Sequence, residues 1–457
     1  MLKLLNLTQK KLLEIDENLI VFMHPINILH KKSILENKII NLMKSKFFFM
    51  RVIFLFIKNL IKFYITYFKI YINHKINPYK KKISSKIIFL SHKFTFNDSD
   101  LYFSDIKKKL RLKKFDTIYI DQLNFFNLRG TRYNLVKSHY CSSEDLKYMF
   151  NEINRCFYLI FKIFVKSKNT EKKIIFYLLA YTISKSTLQN YLIFLSLKNM
   201  TNFPKLKKII HTFEGHIFEK YLNLSFKKNI NKIETIGYQH TGLNGYENAL
   251  YLDINKRYFP DKILCISKVD MKIIKKRVKN KNILSIGRHV AIKKKVNWKL
   301  IYSKKKIPKV LLLIENNIFQ IKNFLSKLDE YKDLIKLTVR PHPEKIQLTK
   351  KYLKNLNVTI SLKKNFRDEL KKNDVLIFQN STIHYEAIKH GLLVLRLKSQ
   401  KRLNFMPQRL EKNINIKDLK DILIKIKKIK DLNYKYYYKY SETKFSDLNS
   451  ELLNSSI

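Results

Sequence analysis

Glycine is rationed in this chain. Only seven occur in 457 residues, and four of them, Gly215, Gly237, Gly242 and Gly245, fall within residues 207–250. Glycine is required where the backbone takes positive φ or must come close to a ligand. Two apolar runs of strand length, Lys208–Phe213 and Ile233–Tyr238, end inside this stretch. The first runs into Glu214-Gly215-His216 and the second into Gln239-His240-Thr241-Gly242. Strands that empty into polar, glycine-bearing loops are how open α/β sheets build ligand sites. The stretch therefore points to an α/β fold with a site at these two loops. Glu214, His216 and His240 are its candidate catalytic side chains, and Gly215, Gly237 and Gly242 its loop glycines.

The net charge of +56 has two readings. A basic surface attracts nucleic acid or anionic lipid. A chain dominated by Lys, Asn, Ile, Phe and Tyr also carries lysine as its default polar residue. Arginine separates the two readings, because nucleic-acid readers favour its bidentate fork. Only 13 of the 92 basic residues are Arg, with no Arg cluster and no zinc or RNA-binding signature, so a nucleic-acid partner is not expected. Cys141, Cys156 and Cys265 have no metal or redox spacing and are expected to be reduced and buried. The N-terminus lacks the apolar core and small-residue cleavage site of a signal peptide.

Residues 1–80 read as a helical N-terminal extension. Within it, residues 47–72 form a strongly apolar helix whose charges are Arg51, Lys58, Lys62 and Lys69. At 100° per residue these four lie within about 20° of one line. A narrow basic stripe on a broad apolar helix suits the surface of an anionic membrane. The same pattern also suits a helix packed on the protein with its stripe in water. The longest uncharged run is too short to span a bilayer.

Residues 81–300 read as a first Rossmann-like domain with a helical insertion at 144–200. Strands are expected at Lys86–Ser91, Thr117–Ile120, Lys208–Phe213, Ile233–Tyr238 and Lys262–Ile266, and a helix over Asp98–Leu112. Residues 301–410 repeat the α/β alternation. Strands are expected at Val310–Ile314, Ile335–Val339, Val358–Leu362, Val375–Phe378 and Leu392–Leu395. A helix over Ile383–His390 is closed by Gly391. Residues 411–457 read as a helical tail.

Two motifs in the second domain carry chemistry. Arg340-Pro341-His342-Pro343 follows a strand, and its prolines fix the backbone so that a guanidinium and an imidazole meet a ligand at the strand's carboxyl end. Asn380-Ser381-Thr382 opens a helix that carries Glu386. Hydroxyls and free N–H groups there suit a phosphate, and Glu386 suits ribose hydroxyls. Each motif also has an ordinary structural reading, as a rigid turn and as a helix cap.

Together these motifs resemble the donor domain of GT-B glycosyltransferases, α/β enzymes with two Rossmann-like domains facing a cleft. The His342-Pro343 and Ser381-Thr382 pairs are similar to those of bacterial sialyl-, polysialyl- and Kdo-type transferases. Glu214–Glu219 (E-G-H-x-x-E), Gly237–Gly242 (G-Y-Q-H-T-G), Ser91-His92 and Asp100–Phe103 resemble surface-carbohydrate (capsule or lipopolysaccharide) biosynthesis proteins. The resemblance spans roughly residues 85–400. It implies a nucleotide-sugar donor, CMP-linked by preference, held by His342, Pro343, Ser381 and Thr382, to which the strand-end and helix readings above add Arg340 and Glu386. It implies a lipid-linked or cell-surface glycan acceptor, and an inverting transfer with no cofactor beyond the substrate nucleotide. Metal independence is expected because no DxD-like or Cys/His metal cluster stands out in these motifs. Glu214 is the first candidate base, then His216 and His240. The expected location is the cytoplasm, peripheral to the inner face of the membrane. CDP-glycerol-type phosphotransfer and a non-catalytic glycan-binding scaffold are the alternatives.

Overall fold

A computed structural model describes residues 2–23, 41–76, 85–93, 100, 102–110, 114–121, 134–135, 142–200, 203–228, 233–243, 256–278, 282–288, 307–314, 318–342, 346–354, 356, 358–362, 366–379, 381, 383–397, 414–427 and 448–457. The chain forms two compact units. Unit 1 runs to Leu284, and unit 2 takes Ser285 to the C-terminus together with Ile266–Asp270.

The sheet of unit 1 contains β1 (Ile87–Lys93), β2 (Asp116–Asp121), β3 (Asn134–Leu135), β4 (Lys208–Thr212), β5 (Glu234–Gln239), β6 (Lys262–Cys265) and β7 (Ile283–Ser285). Their order is β3-β2-β1-β4-β5-β6-β7. The β1–β2, β1–β4, β4–β5 and β5–β6 pairs are parallel. Strands of such a sheet are covered on both faces, so they read as continuous apolar runs rather than alternation. The buried runs of β4 and β5 show this. Chain order reverses between β1 and β4, the switch point at whose carboxyl side such sheets bind ligands.

The helices of unit 1 are α1 (Leu2–Ile15), α2 (Phe48–Ile76), α3 (Ser104–Lys109), α4 (Ser143–Lys166), α5 (Asn169–Thr182), α6 (Lys185–Met200), α7 (Ile217–Lys227) and α8 (Lys268–Arg277, whose first residues fall in unit 2). Helix α3 is shorter than expected, because the chain turns extended at Leu110 (φ −71°, ψ 129°). A capping box at Ser142 and Asp145 starts α4. Leu5 and Leu12 of α1, the buried 3-10 turn Glu17–Met23, and Phe48, Val52, Phe63 and Ile70 of α2 share one core with α4, α5 and α6. Each large apolar side chain buried this way contributes about 1.5–3 kcal/mol, so the N-terminal helices are a structural layer of unit 1.

Helix α2 has a second face. Phe54 is 77% exposed and Phe68 63%, and Met50, Ile57, Ile61 and Ile65 are also exposed. Arg51, Lys58, Lys62 and Lys69 are exposed along one edge of this face. Among the described residues, no helix is long and apolar enough to cross a membrane.

Unit 2 holds a second parallel sheet of β8 (Lys309–Ile314), β9 (Lys336–Pro341), β10 (Thr359–Ile360), β11 (Val375–Phe378), β12 (Leu393–Leu397) and β13 (Asn415–Ile416), in the order β10-β9-β8-β11-β12-β13. With β8 counted first this is 3-2-1-4-5-6, the Rossmann order. Its helices are α9 (Ile318–Leu325), α10 (Ile346–Leu353), α11 (Phe366–Lys372), α12 (Ile383–Lys389), α13 (Leu419–Lys427) and α14 (Ser450–Ser456). The fold class is thus α/β with two Rossmann-like units and N-terminal helices.

Residues 411–457, expected to be purely helical, contribute strand β13, and α13 buries Leu419 and Ile422 in the core. The Asn449 N–H donates to the Ile286 carbonyl (2.8 Å), so the two ends of unit 2 meet. Cys156 and Cys265 are buried free thiols, and Cys141 lies outside the described residues.

Candidate functional site

The register of unit 1 brings the two polar loops together. In β4 and β5, His211 pairs with Gly237 and Thr212 with Tyr238. Glu214 and His240 each follow two residues beyond the last pair, so their side chains meet at the carboxyl edge. Glu214 Oε1 lies 3.3 Å from His240 Nε2, and Oε2 lies 3.0 Å from His216 Nε2. The Thr241 hydroxyl donates to Oε1 (3.1 Å). One carboxylate thus bridges both candidate histidines.

Glu219 builds the loop beneath this cluster. Its Oε2 accepts the backbone N–H groups of Glu214 (2.9 Å), Gly215 (2.7 Å) and His216 (3.0 Å), and its Oε1 accepts the Thr212 hydroxyl (3.0 Å). Gly215 turns the chain at φ 84°, a conformation that costs other residues energy. The third residue of α7 therefore gathers the N–H groups of the N-cap His216 and of the two loop residues before it.

The electrostatics follow from these contacts. Burial pushes the Glu214 carboxyl up. The charge of His240, the hydrogen bond and charge of His216, and the Thr241 hydroxyl outweigh burial and hold it well below the usual carboxylate range. Burial lowers His216, yet the Glu214 hydrogen bond and the charges of Glu219 and Glu214 raise it above its ordinary value. Burial pushes the Glu219 carboxyl up to about 7. Burial also brings Lys220, beside it on α7, down to about 7 against the pull of Glu219.

A third loop completes the cluster. At the end of β1, the Ser91 hydroxyl donates to Asp100 Oδ1 (2.7 Å), which also accepts the N–H groups of Tyr102 and Phe103 (both 3.1 Å). Lys107 closes on the same carboxylate. This nest presents the Tyr102 ring edge-on to His240, with centroids 4.4 Å apart. Ser91, Asp100, Tyr102, His240, Glu214 and His216 thus form one chain of contacts along the carboxyl ends of β1, β4 and β5.

Gly237 requires a correction. It is a strand residue of β5 and not a loop glycine. A Cβ there would stand 2.8 Å from Pro260 Cγ and 3.0 Å from Phe213 Cβ. The missing side chain makes room for packing inside the sheet. Gly242 is buried in the loop after β5.

In unit 2, Arg340 is the last residue but one of β9 and pairs with Leu313. Its guanidinium pairs with the buried Glu369 and lies 5.1 Å from the Phe366 ring centroid. Ser361 donates to the same carboxylate. The exposed His342 donates its N–H to Ile314 (2.8 Å), extending the ladder by one bond.

At the end of β11, two strands away, Ser381 Oγ accepts the Ile383 N–H (3.3 Å) at the start of α12. Glu386 is buried, with Arg288 3.9 Å away. Gly391 (φ 83°) follows α12 as expected. Pro343 and Thr382 lie outside the described residues.

The roles of several residues escaped the sequence reading. Glu219 carries a detectable signal, an acid three residues after an N-cap. Glu369 and Arg288 carry none, since each is defined by a partner distant in sequence. His384 stacks on Phe378 (4.3 Å, 13°), and burial, with the Arg396 charge, brings it down to about 3 against its bond to the Ser381 carbonyl. It is a neutral ring fixed behind Ser381. Among the described residues no group of three or more His, Cys, Asp or Glu could hold a metal ion.

No family model matches the chain, and no curated protein matches it. Solved structures are similar to it at low identity. The S. aureus MnaA complex with UDP shares 13% identity at a TM-score of 0.45, covering 80% of this chain and 94% of that one. The UDP-GlcNAc 2-epimerase of Neisseria meningitidis bound to UDP-GlcNAc shares 11% at 0.43, covering 81% and 98%. The lipopolysaccharide outer core galactosyltransferase WaaB shares 10% at 0.40, covering 81% and 98%. The assignment to a two-unit Rossmann-like architecture stands on the strand order of the chain itself.

Proposed function

We propose that the protein is a glycosyltransferase that moves a sugar from a nucleotide-activated donor to a lipid-linked or cell-surface glycan in surface-polysaccharide assembly. The observation that carries the reading is the Glu214 carboxylate bridging His216 and His240 at the carboxyl edge of a Rossmann-ordered sheet. An acceptor hydroxyl must lose a proton as the new bond forms, and a positioned imidazole suits that transfer. A carboxylate held well below its usual range is a weak proton acceptor and a good orienter. His216 or His240 therefore takes the proton, and Glu214 fixes the rings. This reverses the order expected from the sequence.

In unit 2, His342, Ser381 and the backbone around it take the nucleotide phosphate, and Glu386 the ribose. Arg340 joins them on release from Glu369. The donor is CMP-linked, on the resemblance of the His342-Pro343 and Ser381-Thr382 pairs. Transfer is inverting and metal-independent. The exposed apolar row of α2, with its basic edge, holds the protein peripherally at the cytoplasmic face of an anionic membrane.

A thermal-shift panel of CMP, CDP, UDP and GDP tests the donor. Stabilisation by CMP is expected, and stabilisation by UDP alone sinks the CMP preference. Hydrolysis or transfer of the matching sugar nucleotide should fall at least a hundredfold in H216A and H240A. If both variants turn over like the parent, the cluster is not the active site.

A further inference from the structure

A pocket of about 630 Å³ opens in unit 1 where α1 meets the junction of α4 and α5. Its walls divide by chemistry. Leu12, Ile15, Leu159, Ile163 and Ile175 give an apolar lining. Four lysines, Lys11, Lys162, Lys166 and Lys168, stand with one carboxylate, Glu171, which pairs with Lys11 at 3.0 Å. The pocket therefore keeps an excess of positive charge over an apolar interior.

Two further features turn it toward an anion. Thr8, 1% exposed, lines the pocket, and its Oγ1 has no hydrogen-bond partner among the described residues. A buried hydroxyl left without a partner costs free energy, and a ligand acceptor removes the cost. Helix α5 also begins at the pocket. Its N-cap, Lys168, supplies no side-chain bond to the first turn, so N–H donors and the positive end of a 14-residue helix stay available.

The surroundings are apolar as well. One flank of α4 faces α2 through the Phe56–Phe157 and Tyr67–Phe150 ring contacts. Leu159, Lys162, Ile163 and Lys166 lie on the opposite flank by helical spacing. The crest between the flanks carries the exposed Tyr158, Phe161 and Val165. Phe49 of α2 reaches Phe161 of this crest through Phe176 and Phe164, in successive ring contacts of 5.3, 5.1 and 6.2 Å. A hydrocarbon chain leaving the pocket thus meets an apolar surface, while a phosphate meets the lysines.

We infer that this pocket binds one anionic lipid, a phosphate ester on a hydrocarbon chain, with the phosphate among Lys162, Lys166, Lys168 and the Thr8 hydroxyl and the chain along Leu12, Ile15 and Ile163. The site stands apart from the glycosyl-transfer reading and does not need it. Binding is read directly, so absence of transferase activity leaves this test intact.

The experiment is calorimetric titration of the full chain with decyl phosphate below its aggregation threshold, with inorganic phosphate, and with neutral decyl maltoside. One decyl phosphate per chain is expected, with each of the other two at least tenfold weaker. The K162E/K166E double variant should weaken it at least tenfold. T8V should weaken it at least threefold while holding or raising the melting temperature of the ligand-free protein. A hydroxyl with only a structural role would lower that temperature and leave affinity alone. Four results overturn the inference. They are no saturable binding, inorganic phosphate binding as tightly as decyl phosphate, decyl maltoside doing so, or unchanged affinity in folded K162E/K166E or T8V protein.

Discussion

Replacing Glu219 is the sharpest test of how the loop before α7 is held. The carboxylate collects three backbone N–H groups and one hydroxyl. In E219A all four donors lose their acceptor. The Gly215 N–H and the Thr212 hydroxyl are buried, and each stranded donor costs about 1–3 kcal/mol. The Glu214 and His216 N–H groups are only part-buried, so entering water recovers most of their cost. The sum is about 4 kcal/mol, a large part of the 5–15 kcal/mol typical of a folded domain.

E219Q separates acceptor from charge. Its amide oxygen can serve the three N–H groups, and the Thr212 hydroxyl can rotate to accept from the amide nitrogen, so about 1 kcal/mol is lost. Equilibrium urea unfolding by far-UV circular dichroism measures both variants. Amide exchange over residues 212–219 assigns the loss to the loop. If E219A costs under 1 kcal/mol, or E219Q costs as much as E219A, the four hydrogen bonds are not what holds the loop.

G237A places a methyl 2.8 Å from a proline ring carbon, and such overpacking costs about 1–3 kcal/mol. An unchanged melting temperature would mean that β5 yields freely. The Glu214–His216 pair predicts a pH window. His216, raised from 6.5, contributes fully below that value and loses its contribution as pH rises through its folded value, whereas Glu214, lowered from 4.5, contributes above that value and loses it as pH falls through its folded value. The stability difference between parent and H216Q should therefore shrink from pH 5.5 to pH 8.5 in urea titrations, and an equal difference at both would refute the pairing. On α2, F54D and F68D should each weaken flotation with anionic vesicles at least tenfold while leaving thermal stability within about 0.5 kcal/mol. Flotation like the parent's would remove α2 from the membrane reading.

Much of the architecture was legible because buried parallel strands announce themselves as apolar runs. Val375–Phe378 falls where expected, and most other strand boundaries move by a residue or two. The two-residue strands β3 and β13 were not legible, since a segment so short has no periodicity and pairs only because a neighbour offers an edge. Gly237 was misassigned for a similar reason. Its role depends on Phe213 and Pro260, which come from elsewhere in the sequence. At the site, the loops at 214–216 and 239–241 could be found from polar residues after strands. That Glu214 also reaches His240 depends on register between strands about two dozen residues apart. The engagement of Arg340 by Glu369, and of Glu386 by Arg288, was invisible for the same reason.

The hydrogen bond from Asn449 to Ile286 gives unit 2 the character of a clasped loop. The long stretch of unit 2 opens at Ser285 and, 449 − 286 = 163 residues after Ile286, is fastened back beside its own start. Such a piece carries its own closure. It is a natural candidate for excision, for circular permutation with new ends in a surface turn, or for transplantation. A stop codon before residue 448 would undo the clasp and leave Ile286, where the chain comes out of β7, without its fastening.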